Sequence, residues 1–111
     1  MAEGQRIAEG KAPQRIVEGK ALSARQKKDL LNRLARIEGQ LRGVQKLIAL
    51  ADTPSDCDAV AQQMSAARKA LDRSFVQLLT ASILTQTGEA ADLPEARERA
   101  AHLAAMLDKF A

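Results

Sequence analysis

From Ser23 onward, apolar and polar positions follow a helical rather than a strand period. Leu30, Leu34, Ile37, Leu41, Val44 and Ile48 step by four, three, four, three and four residues, a heptad seam that strand alternation does not fit. Ser23 opens this helix, because Ser23 and Gln26 have capping-box spacing. Its end is expected near Ala51, with a break at Asp52-Thr53-Pro54. Gly39 and Gly43 sit on one flank, where a missing side chain suits the close approach of another helix. A second helix is expected from Ser55 or Asp56, with Ser55 and Asp58 at cap spacing and Cys57 in the first turn. Val60, Met64, Ala67, Leu71, Phe75, Leu78, Leu79 and Ile83 supply two adjacent apolar faces, and Thr87-Gly88 ends the helix at a C-cap glycine. Such a helix spans roughly 45 Å, more than a monomeric domain of this size needs, and so implies an oligomer. Asp92 then caps a third helix, with Pro94 and Glu95 in its first turn and Ala96, Ala100, Leu103, Leu107 and Phe110 on one face. The pattern predicts an all-α fold of three helices, long, long and short.

Upstream of Ser23 the pattern changes. Gln5-Arg6-Ile7-Ala8-Glu9-Gly10-Lys11-Ala12 recurs as Gln14-Arg15-Ile16-Val17-Glu18-Gly19-Lys20-Ala21, identical at seven of eight positions. The nine-residue period matches no heptad, and Gly10, Pro13 and Gly19 interrupt any helix. The expected division is a flexible tail with a duplicated segment over residues 1–22 and a helical domain over residues 23–111.

Composition narrows the chemistry. Among 111 residues there is one cysteine, Cys57, one histidine, His102, and two aromatics, Phe75 and Phe110. A lone cysteine excludes an intramolecular disulfide framework, and one Cys with one His cannot by themselves close a four-ligand zinc site. Enzymatic catalysis is the poorest reading, since one histidine cannot supply a nucleophile, base and orienter set. Stacking of nucleobases on aromatic platforms is equally unsuited to two phenylalanines. Charge is uneven: residues 1–46 hold 11 Lys and Arg against 5 Asp and Glu, whereas residues 47–111 hold 6 against 9. A basic front half points to an anionic partner, with nucleic acid ahead of membrane because no aromatic anchor accompanies the charge. No export signal or long apolar run is visible, so a cytoplasmic protein with a reduced thiol is expected.

Two blocks carry a family resemblance. Leu31-Asn32-Arg33-Leu34-Ala35-Arg36-Ile37-Glu38-Gly39-Gln40-Leu41-Arg42-Gly43-Val44 resembles the opening signature of the copper-sensitive operon repressor family, which also holds nickel, cobalt and formaldehyde sensors. Gln63-Met64-Ser65-Ala66-Ala67-Arg68-Lys69-Ala70-Leu71-Asp72-Arg73 is similar to that family's second-helix signature. The resemblance covers roughly residues 25–110 and implies an antiparallel four-helix-bundle dimer that assembles into a homotetramer. It also implies repression through binding to operator DNA, released when an inducer occupies a cysteine site. The arginines it associates with DNA match Arg33 and Arg73. Independently, Arg25, Lys28, Arg33 and Arg36 share a broad side of the first helix. Lys69 and Arg73 are neighbours one turn apart on the second, so their cations project together.

The sensor positions depart from the family pattern. Where metal-sensing relatives carry a His and a second Cys, an ungapped count places Ser82 and Gln86, both poor soft-metal ligands. Cys57 alone matches the first ligand, and His102 falls where a third-helix carboxylate is expected. The leading expectation is therefore a DNA-binding repressor whose switch is Cys57, answering a thiol-reactive inducer such as an aldehyde, an oxidant or a sulfur species. Two alternatives stand beside it. One is metal sensing, for instance of Cu(I), through a rebuilt set of Cys57, His102 and tail groups; the other is a helical interaction protein without DNA binding.

Overall fold

The computed structural model describes residues 15–110. Three helices account for most of them: α1 (Ala24–Leu50), α2 (Pro54–Gly88) and α3 (Leu93–Phe110). The order long, long, short and the all-α class are as the pattern predicts. No helix among the described residues is long and apolar enough to cross a membrane.

Helix α1 begins where its capping box places it. The Ser23 hydroxyl accepts the Gln26 N–H at 3.1 Å, and Gln26 Oε1 accepts the Ser23 N–H at 2.8 Å, so two amides without helical partners are satisfied reciprocally. The preceding residues 15–22 are not helical and lie against this end. Glu18 accepts the Ala24 N–H at 3.2 Å, and the Lys27 ammonium donates to the Val17 carbonyl. The first copy of the duplicated segment lies outside the described residues, as does Ala111.

Both ends of α2 correct the sequence reading. The helix starts at Pro54, capped by Thr53 and not by Ser55. Asp56 rather than Asp58 closes the turn, its Oδ2 accepting the N–H groups of Asp52 and Thr53, each at 3.0 Å. Proline has no N–H to lose at the first helical position, so Pro54 begins α2 instead of only interrupting the chain. At the other end Gly88 is still helical, and Glu89 is the cap with φ −92° and ψ 0°. The ending therefore needs no left-handed glycine. Asp92 caps α3 as expected, its Oδ1 accepting the Glu95 N–H at 2.9 Å, while Glu95 reaches back to the Ala91 N–H at 2.8 Å.

Helices α1 and α2 pack antiparallel, α3 packs on α2, and α1 does not touch α3. The α1–α2 seam is split. Leu30, Ile37 and Val44 are buried on α1, as are Ala67, Ser74 and Ala81 on α2, each set recurring every seven residues. The alternate heptad positions Leu34, Leu41 and Ile48 stay exposed, together with Met64, Leu71, Phe75, Leu78 and Ile83 on α2. The wide apolar face read from the sequence is thus present but only partly covered within one chain. The physical reason is shape: at 60 × 39 × 16 Å the molecule is little thicker than one layer of helices. The third helix repeats this, burying Leu103 while Leu107 and Phe110 remain exposed. A Cβ at Gly39 or Gly43 would meet nothing within 4 Å, so the close approach expected at these glycines is not made by α2.

Candidate nucleic-acid interface

The basic residues of α1 and α2 meet along one flank of the packed seam. Arg33 lies one helical turn from both the buried Leu30 and the buried Ile37, Arg36 immediately precedes Ile37, and Arg73 immediately precedes the buried Ser74. Each arginine is therefore a short step around its helix from the contact line, and the antiparallel pairing brings the three together. Arg33, Arg36, Gln40 and Arg73 line a cavity of about 220 Å³ floored by Ile37, Ala70 and Ser74. Arg33 and Arg73 also border a wider groove of about 600 Å³ that runs towards Gln26, Thr80 and Leu84. Among the described residues the ion pair is that of Arg99 with Glu95, so the three guanidinium groups of this flank carry no carboxylate partner there. Unneutralised, forked donors on a helical surface suit phosphate oxygens. Arg25, Lys28 and Lys69 line neither cavity, so the structure gathers half of the six basic residues singled out from sequence.

The sequence pointed to Gln26 only as a cap and passed over the other polar contacts that tie the helix ends together. Gln26 serves α1 twice, since its Oε1 also accepts the Thr85 hydroxyl at 2.6 Å and so ties the start of α1 to the end of α2. The buried Ser74 hydroxyl donates to the Ala70 carbonyl at 3.1 Å. Arg99 of α3 donates from Nη1 to the Gln86 carbonyl at 2.7 Å and from Nη2 to Glu95, which satisfies a carbonyl that the end of α2 leaves unpaired. The one-turn spacing of Glu95 and Arg99 could have signalled that pair, but nothing local in the sequence points to Gln86.

The sensor positions lie far apart within the chain. Cys57 is a free, exposed thiol in the first turn of α2. Ser82 and Gln86 follow 25 and 29 residues later on the same helix, roughly 38 and 44 Å away by helical rise. His102 is exposed on α3, which packs on α2. Next to the thiol, Asp56 is held below the ordinary aspartate range, first by the Thr53 N–H, then by the Asp52 N–H and the Thr53 side chain. It remains an anion beside Cys57 throughout the neutral range.

The donor chemistry does not fit a soft-metal centre. Ser82 is buried, and its hydroxyl and the Gln86 amide are hard, neutral donors. No group of three or more His, Cys, Asp or Glu able to hold a metal ion forms among the described residues. Compared with known families, the chain matches a model described as metal-sensitive transcriptional repressor over residues 26–109. No curated protein and no solved structure matches it.

Proposed function

Because this chain belongs to the metal-sensitive transcriptional repressor family, a class of transcription regulators and not of enzymes, we propose that it binds operator DNA through the Arg33–Arg36–Arg73 flank. Cys57 is its switch. One observation carries the DNA reading: two helices place three guanidinium groups, without carboxylate partners among the described residues, around a single cavity. Operator phosphates neutralise them and release condensed counterions. Arg25, Lys28 and Lys69 extend the positive field around this centre and act mainly on encounter.

Assembly follows from the uncovered half of the seam. A second copy laid antiparallel against Leu34, Leu41, Ile48, Met64 and Leu71 makes a four-helix bundle, and two such dimers make a tetramer presenting four arginine flanks. The same antiparallel pairing carries Cys57 to the far end of the neighbouring α2, beside the partner's Ser82 and Gln86. Modification of the thiol there alters the helix pairing that spaces the arginine flanks, and DNA is released. The sensor works without a bound metal because only one soft donor is present at these positions. The protein acts in the cytoplasm, where the thiol stays reduced until the inducer arrives.

Fluorescence anisotropy with operator DNA, titrated across salt, tests the binding half. Affinity should fall steeply with salt, and Arg33→Ala or Arg73→Ala should lower the slope by about one for each phosphate no longer neutralised. Absence of specific binding at low salt overturns the reading. The switch half is tested by intact-mass analysis of Cys57 after formaldehyde, peroxide or polysulfide, paired with DNA release, with Cys57→Ala refractory. Release by Cu(I) or Ni(II) instead, under anaerobic reducing conditions, would favour metal sensing through a rebuilt site.

A further inference from the structure

The duplicated segment upstream of α1 is a feature that DNA binding does not use. Helix α1 has no acidic residue in its first turn, yet an anion from outside the helix sits at that end. The Glu18 carboxylate accepts the Ala24 N–H at 3.2 Å, and the Lys27 ammonium donates to the Val17 carbonyl. Glu18 thereby satisfies an amide that has no helical partner and places a negative charge at the positive end of the helix dipole. Gly19 passes close by, where a Cβ would stand 3.5 Å from the Lys27 ammonium. All three features recur nine residues earlier: Glu9 matches Glu18, Gly10 matches Gly19, and Ala8 offers the same carbonyl as Val17. Residues 8 and 17 are the one pair at which the copies differ. Val17 docks through its backbone, and its side chain is 52% exposed, so the difference leaves the docking groups the same.

We propose that the start of α1 is a dock for either copy, so that the tail exchanges between two registers nine residues apart. In one register Glu18 and the Val17 carbonyl occupy the dock. In the other, Glu9 and the Ala8 carbonyl take their places, and the second copy becomes part of a longer loop. Six residues separate Glu18 from Ala24, and fifteen separate Glu9 from it. Loop-closure entropy grows with the logarithm of loop length, which favours Glu18 by about fourfold. The Glu9 register is thus a minor state of about one chain in five, close enough in free energy to be drawn on. Its consequence is electrostatic. It releases Glu18 and gathers Lys11, Arg15 and Lys20 into a loop rooted three residues before Gln26, which lines the groove bordered by Arg33. The exchange therefore changes the charge presented beside the basic flank without altering the helices.

Solvent exchange of the Ala24 amide, read by NMR on the full chain, tests the two registers. Glu18→Ala should lose only part of the protection, because Glu9 takes over, and should exchange about fivefold faster than wild type. Glu9→Ala should exchange faster by only about a quarter. The double variant should lose the protection altogether. Equal exchange in Glu18→Ala and the double variant overturns the proposal, since Glu9 then does nothing at the dock. Wild-type protection in the double variant overturns it as well, since neither carboxylate then holds Ala24. A deletion of residues 13–21 checks the equivalence of the copies, because it joins the first copy to Leu22 in the register of the second. That chain should protect Ala24 to within about a quarter of wild type, and rapid exchange there would overturn the proposal.

Discussion

The two flanks of the α1–α2 pair share the same backbone and the same heptad spacing, yet their surfaces are opposed in character. On one flank Leu34, Leu41, Ile48, Met64 and Leu71 form an apolar stripe that nothing among the described residues covers. On the other, Arg33, Arg36 and Arg73 surround a polar cavity. The first flank gains only by leaving water, and each fully buried side chain there is worth about 1.5–3 kcal/mol. The second gains by meeting an anion, because its cations lack carboxylate partners among the described residues. One helix pair thus separates association with its own kind from association with a charged ligand. The separation predicts that each flank can be broken without the other.

The largest effect is expected on the apolar flank. Leu41→Glu with Leu71→Glu would place unpaired charges in the interface between copies and should cost about 3–5 kcal/mol of association. Sedimentation velocity should then show monomers where the wild type assembles; an unchanged assembly would remove the stripe as an interface. On the basic flank Arg33→Ala should lower operator affinity by about 1–3 kcal/mol while the sedimentation profile stays that of the wild type. A failure to assemble in that variant would collapse the distinction between flanks.

Smaller effects sharpen the comparison. Arg99→Ala removes the donor to the Gln86 carbonyl and should cost about 1–2 kcal/mol, seen as faster amide exchange in α3 and the last turn of α2. Gly39 and Gly43 lie clear of α2, so Gly43→Ala should raise stability by about 0.5–1 kcal/mol through helix propensity. A destabilised variant instead would reveal a neighbouring copy close to Gly43. The smallest expected change is in acid sensitivity. Because the native Asp56 carboxyl titrates below its unfolded value, its contribution is present above the ordinary aspartate range. It disappears as pH falls through the depressed native value. Asp56→Asn should therefore flatten the acid side of a thermal-stability profile against pH, and an unaltered profile would deny Asp56 that part.

Much of the fold is legible along the chain because its signals are local. The Ser23–Gln26 box, the Asp52-Thr53-Pro54 break and the Asp92 cap each depend on residues within one turn, and all three fall where the helices start or stop. Thr53 and Ser55 compete as caps because both spacings exist in the sequence, and only the backbone around Pro54 selects Thr53. The resemblance carried by Leu31–Val44 and Gln63–Arg73 agrees with the family match over residues 26–109. The site is less legible. Six basic residues look alike in sequence, and their reach into the groove depends on their angle from a contact line that exists only once α2 packs on α1.

The sequence by itself determined the helices, their order, the split between a basic front half and an acidic remainder, and the poverty of soft-metal donors at Ser82 and Gln86. Tertiary structure decided which half of each heptad is buried in the chain and which is left for another molecule. It also decided that Arg33, Arg36 and Arg73 share one cavity, that Gln26 and Arg99 secure the end of α2, and that Gln77 keeps a buried oxygen without a partner among the described residues. The reason is physical. Capping and periodicity act over a turn of chain, about 5 Å, whereas burial, cavity walls and charge clustering are properties of the distance between helices.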